Sequence, residues 1–295
     1  PRISAVEQDG FVFPAQEGAT VPVQTEGPAA PLLSPSADLV DVYVFDSGIR
    51  AGHRALSGLV GQGFTSFRNA IGTEDCNGHG THVAGSIGGR QFGQTGRARL
   101  ISVKVLDRDS YGDVSTVIAG VEWVLDQPGA SKIANMSLTR LDPAPPGQAL
   151  LDRAVMALIT AGIPVVVAAG NSAADARLYS PARIAAAITV GAMSGDEVAT
   201  SSNTGGGVDI YVQGADVPSA SLTDSCGFER MSGTSMAAAR LTGAAADLLA
   251  DGTDAQDVLP GLLARSSLQE TGNFTGEVTR VVLGLREGDL AGFCD

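Results

Sequence analysis

Five apolar runs of strand length recur along the chain: DVYVFD (41–46), LISVKVL (100–106), KIANMSL (132–138), IPVVVAA (163–169) and AAITVGA (186–192). Helical patterns fall between and after them, near 79–88, 113–126, 147–161 and 234–250. Short Val- and Ile-rich strands that are apolar on both faces must be covered on both faces. The pattern therefore predicts an α/β fold, a mostly parallel sheet with helices on both sides. Such sheets bind ligands beyond the carboxyl ends of their strands. Residues 14–38 break the pattern, because Pro14, Pro22, Pro28, Pro31 and Pro35 stand among Ala, Gly and Ser, which cannot hold a helix or an inner strand. The expected organisation is an extended Pro-rich N-terminal arm over 1–38 and a single domain over 39–295, with no internal repeat.

Composition narrows the function classes. A chain of 295 residues with 44% hydrophobic but only 5% aromatic residues and 38 glycines suits close helix-on-sheet packing. A net charge of −13, with Lys104 and Lys132 the only lysines, argues against nucleic acid or an anionic membrane as partner, since both require clustered cations. The longest apolar run, Ile163 to Ala169, is far short of the roughly 18 residues of a membrane span. The opening PRISAVEQDG has neither a basic nor an apolar leader region, which reads as a processed or trimmed chain without a signal peptide. Cys76, Cys226 and Cys294 lack CxxC spacing, so at most one disulfide forms and one thiol is left over.

Three short motifs occupy the places this architecture reserves for chemistry. Asp46 ends a strand in VFDSG, His79 opens a helix in NGHGTH, and Ser235 opens another in MSGTSMAA. Nucleophilic hydrolysis needs a hydroxyl, a neutral base to take its proton and a carboxylate to orient that base, and all three are present. His79 and His82, three apart, could also be a metal pair or plain core. A metal pair would need a third ligand, and no HExxH-type pattern supplies one. The positive end of a helix dipole disfavours a charged His79 while a nearby Asp46 favours it, a balance that suits a base neutral at rest.

Together DSG, DCNGHGTHVAG, AAGN at 168–171 within AAGNSAADARLYSPA, and SGTSMA at 232–237 resemble the subtilisin-like serine proteases and are similar to the proteinase K branch, over roughly residues 40–285. The resemblance implies Ser235 as nucleophile, His79 as general base and acid, Asp46 as orienting carboxylate, and Asn171 with the Ser235 backbone N–H as oxyanion donors. It implies two substrate edges, Ser110-Tyr111-Gly112 and Ser137-Leu138-Thr139. Thr139 stands where the family usually has glycine, so a smaller S1 pocket is expected, one that accepts Ala, Leu or Met over Phe or Tyr. His82 is expected as packed structure and His53 as a surface or loop residue. Ala239-Arg240 replaces the usual Pro-His after the nucleophile.

No cofactor is required for such chemistry. The resemblance implies a possible structural calcium at Asp209 with the carbonyls of Ala185 and Ala187. It also implies a Cys226–Cys294 bridge with Cys76 free, because Arg108 stands where the partner of Cys76 often lies. The expected protein is a secreted, monomeric serine endopeptidase that works through an acyl-enzyme on protein or peptide substrates, with its own propeptide as inhibitor. The alternatives are a catalytically silent binding protein on the same fold, for which Ala239-Arg240 argues, and a peptide ligase or macrocyclase.

Overall fold

The computed structural model describes residues 10–15, 17–22, 39–67, 72–129, 131–140, 150–270 and 277–280. Its central sheet has the order β15 (Ser267–Glu270), β16 (Glu277–Arg280), β12 (Ile210–Gln213), β10 (Ile188–Ser194), β9 (Val165–Ala168), β7 (Lys132–Met136), β3 (Val40–Asp46), β5 (Ala98–Lys104), β4 (Phe64–Thr65). Every pairing from β16 to β4 is parallel; β15 and a short β11 (Glu197–Val198) add antiparallel edges. All five predicted strands are present, displaced by up to two residues at their ends.

Alternation along each strand divides the core. Val42 and Val44 of β3 join Val83 and Ile87 of α1 (His79–Gly88) and Ala237 and Leu241 of α4 (Thr234–Ala250) on one face. Tyr43 and Phe45 join Val117 and Val121 of α2 (Val114–Leu125) and Val155 and Leu158 of α3 (Leu150–Thr160) on the other. The sheet is thus apolar on both faces because helices cover both. A short α5 (Val258–Leu263) packs on α4.

Two small antiparallel sheets lie outside this core. One has the order β6 (Gly112–Asp113), β1 (Phe11–Pro14), β8 (Leu138–Arg140); the other β13 (Val217–Ala220), β14 (Phe228–Ser232), β2 (Glu17–Pro22). The second covers α1 on the side away from the main sheet, which is why all ten α1 residues are buried. Gly85 makes that approach possible, since a Cβ there would lie 2.3 Å from Ser219 Oγ.

Candidate active site

Parallel topology sets three side chains at one end of the sheet. Asp46 is the last residue of β3, His79 the first of α1, and Ser235 lies in the first turn of α4. The Asp46 carboxylate meets His79 Nδ1 at 2.8 and 2.9 Å, so Nδ1–H donates and the lone pair sits on Nε2. Asp46 Oδ1 also accepts from Ser47 N–H at 2.8 Å. His79 Nε2 is buried and makes no hydrogen bond, while Ser235 Oγ donates to the Ser137 carbonyl at 3.0 Å. The Asp–His pair is formed in this state, and the hydroxyl is turned away from it.

The start of α1 is held by a residue that the motif reading missed. Asp75, 5% exposed, accepts from Asn77 N–H, Gly78 N–H, Thr81 N–H, Thr81 Oγ1 and Ser47 Oγ at 2.6–3.1 Å. Asn77 Oδ1 takes the His79 N–H at 3.2 Å and Ser47 Oγ takes that of Gly80 at 3.0 Å. The orphan donors of the helix end are therefore satisfied, with a carboxylate at the positive pole. Gly80 lets α1 reach β3, because a Cβ there would lie 2.1 Å from the Gly48 carbonyl oxygen. An acidic residue just before a glycine-bounded helix start is the capping signal that could have singled Asp75 out.

The second histidine of the motif is structural. His82 is fully buried; its Nε2–H lies between the carbonyls of Val217 (3.0 Å) and Glu229 (3.2 Å), and its own carbonyl accepts from Ser219 Oγ at 2.7 Å. Burial, reinforced by His79, pushes its pKa down to about 3. His53 corrects the expectation of a surface residue: it is a loop residue, but fully buried. Its Nδ1 accepts from Ala55 N–H at 3.1 Å and its Nε2 donates to the Gly227 carbonyl at 2.8 Å. Burial lowers its pKa too.

Asn171 follows β9 on a loop held by Asn203, whose Oδ1 accepts from Ser172 and Ala174 N–H and whose Nδ2 donates to the Ala169 carbonyl. Thr234 N–H and Oγ1 both donate to Asn171 Oδ1, at 3.1 and 3.0 Å, which fixes the amide orientation and leaves Nδ2 a buried donor without a partner. Beneath the nucleophile a buried chain runs from Thr242 Oγ1 to Asn135 Oδ1 (2.9 Å), from Asn135 Nδ2 to Ser137 Oγ (3.0 Å) and from Ser137 Oγ to the Ser235 carbonyl (3.0 Å). Neither Asn135 nor Thr242 carries a sequence signal beyond its place in a strand or helix.

The chain's own residues 10–15 and 17–22 line the cleft as strands. Val12 pairs with Gly112 and Arg140, Phe13 with Thr139, and Pro14 with Leu138. Gly10 O accepts from Val114 N–H at 2.8 Å, and Ala15 N–H donates to the Ser137 carbonyl at 3.1 Å. The Ala15 carbonyl oxygen accepts from Ser235 N–H at 3.0 Å, and the chain then continues into β2 on β14. Val12 is fully buried, and the Phe13 ring meets Tyr111 edge-on at 5.0 Å.

Both expected edges therefore carry a peptide strand, with one adjustment. The first runs through Gly112 and Asp113, whereas Ser110 sits at φ 66° in a turn with its N–H on Asp107 O, outside the ladder. Thr139 Oγ1 lies 3.7 Å from where a Cβ on Gly170 would stand, so it faces the AAGN loop as an S1 wall residue would.

Three departures and extras can be located. Ala239 and Arg240 leave α4 unbroken; Arg240 is buried, donates to Gln213 O at 2.9 Å, and burial lowers its pKa to about 10. Asp209 Oδ2 accepts from Thr189 N–H at 2.8 Å, and burial raises its carboxyl pKa, only partly offset by that bond. Among the described residues no group of three His, Cys, Asp or Glu side chains gathers to hold a metal. Cys76 is a free thiol beside Lys104 Nζ at 3.7 Å, and the expected partner of Cys226, Cys294, lies outside the described residues.

Comparison with known proteins gives a consistent answer. The Vibrio alginolyticus alkaline serine exoprotease A is 36% identical over 259 residues, 86% of this chain and 47% of that protein. The extracellular serine proteinase of Thermus sp. (strain Rt41A) is 45% identical over 208 residues, 70% of this chain and 50% of that one. The chain thus spans about half the length of these curated relatives. The crystal structure of a cold adapted subtilisin-like serine proteinase superposes with a TM-score of 0.77 at 34% identity, covering 85% of this chain and 91% of that one. The subtilase (peptidase S8) family model matches residues 39–271, and on the fold, the Asp46–His79 pair at the head of α1, Ser235 in the first turn of α4 and these similarities, the chain belongs to the subtilase family.

Proposed function

We propose that this chain is a secreted serine endopeptidase that hydrolyses peptide bonds through an acyl-enzyme on Ser235. The observation that carries the reading is the segment around Ala15, which lies in the cleft as a substrate would, its carbonyl oxygen on the Ser235 N–H. In the first step Ser235 Oγ leaves the Ser137 carbonyl, turns to His79 Nε2, gives it its proton and bonds to the scissile carbonyl carbon. Asp46 holds the resulting imidazolium, and Asn171 Nδ2 with Ser235 N–H takes the oxyanion. His79 then returns the proton to the leaving amine; water enters through the same base and releases the acid, restoring Ser235.

The same register supports a role for the N-terminal segment. With Ala15 at the position before the scissile bond, the bond that follows it is the chain's own first substrate, and the intact segment is an inhibitor of the cleft. A small residue there agrees with an S1 pocket narrowed by Thr139. Calcium at Asp209, with the carbonyls of Ala185 and Ala187, is proposed as a structural ion only.

Labelling with a fluorophosphonate and mass spectrometry of the cleavage products of a peptide library test the activity. Label on Ser235 and products cut after small residues are expected. An unlabelled Ser235 with intact peptides would favour the silent binding protein, and products joined to added amines would favour the ligase.

A further inference from the structure

β14 runs into the nucleophile helix, with Ser232 two residues before Thr234, where α4 begins. One edge of β14 is paired with β13; the other carries β2, with Ser232 opposite Glu17, Arg230 opposite Val21 and Glu229 opposite Pro22, and a register shift between Arg230 and Ser232. A strand edge presents N–H and C=O groups that any extended chain can complete.

This edge is rigidly built. His82 Nε2–H bridges the carbonyls of Val217 in β13 and Glu229 in β14, and Ser219 Oγ donates back to the His82 carbonyl. The helix that clamps the hairpin is the one that opens with His79. One element thus holds the base and the strand edge in a common register.

We propose that β14 is a docking edge for the stretch of substrate that follows the cleaved bond, engaging it as an added antiparallel strand out to the seventh residue beyond that bond. With Ala15 before the bond, Glu17 is the second residue after it, Val21 the sixth and Pro22 the seventh. The inference rests on the proteolytic reading and names its substrate class: an extended polypeptide stretch, bound through its backbone on both sides of Ser235. Short peptides and tight loops engage only part of this surface.

The test uses the full, active chain and internally quenched peptides that share Gly-Phe-Val-Phe-Pro-Ala before the bond. They end at the second (Gln-Glu), fourth (Gln-Glu-Gly-Ala) or seventh (Gln-Glu-Gly-Ala-Thr-Val-Pro) residue after it. An anilide of the same six residues, with nothing beyond the bond but the dye, is run alongside. The expected result is a rise in kcat/KM of roughly tenfold from the second to the seventh residue, mostly beyond the fourth, the size of one or two net backbone hydrogen bonds. N-methylating the fifth and sixth residues together blocks whichever amide faces the edge and abolishes that gain. Exchanging the side chains for other strand formers keeps it.

A kcat/KM that is flat beyond the second residue, while the anilide is cleaved, would overturn the docking edge and leave the proteolytic reading standing. An anilide left intact would overturn both.

Discussion

His82 should make the stability of this protein fall steeply in mild acid. Its imidazole is held down to about 3 from an ordinary 6.5, because it is wholly buried between two backbone carbonyls beside His79. Below pH 6.5 the unfolded chain takes up a proton that the native chain refuses until near pH 3, so the stability contributed by the neutral ring is full above 6.5 and is lost as pH falls towards 3. Over that window of about 3.5 units, at ~1.36 kcal/mol per unit, the loss is on the order of 5 kcal/mol. The assay is urea unfolding from pH 7 to pH 4, comparing Ser235→Ala with Ser235→Ala/His82→Gln, the first substitution removing self-digestion. His82→Gln costs stability at pH 7 through its lost hydrogen bonds. The difference between the two proteins should then shrink by about 3 kcal/mol on reaching pH 4, since only one carries the reluctant imidazole. Parallel curves would mean that His82 is protonated without penalty in the native chain.

Asn171→Ala should lower kcat about 10²–10³-fold with little change in KM, the magnitude already measured for such a donor in a subtilisin of this same family; a change confined to KM would remove Asn171 from the oxyanion site. Thr139→Gly should raise kcat/KM for Phe before the bond relative to Ala by about 10-fold or more, and an unaltered ranking would mean that Thr139 does not line the pocket. A chelator should lower the thermal midpoint if calcium sits at Asp209, and Asp209→Asn should remove that sensitivity; an unchanged midpoint in the parent chain argues against the ion.

The parallel sheet and the three chemical positions were legible because each is written locally. Strand length and apolar character mark β3, β5, β7, β9 and β10, and Asp46, His79 and Ser235 sit at element ends, where the helix starts at His79 and Thr234 agree with the pattern. What was not legible depends on pairing at long range. Phe11–Pro14 is a four-residue strand ending in proline, and nothing within it says that it lies between β6 and β8, more than 90 residues away. His53 reads as a polar loop residue because its carbonyl partner, Gly227, is on a distant loop. Asp75 stood inside the motif, yet its role comes from Ser47 as much as from its neighbours. The same holds for Asn135 and Thr242, whose value lies in each other.

If Ser235 hydrolyses peptide bonds, the bond after Ala15, whose carbonyl oxygen sits on the Ser235 N–H, is the first it should cut. Intact mass measurement and N-terminal sequencing of the wild-type chain and of Ser235→Ala, made and stored side by side, decide this. The wild type should be cut between Ala15 and Gln16, giving a species that begins with Gln16, while Ser235→Ala stays whole. A wild type that stays whole, or the same cut appearing in Ser235→Ala, would contradict it.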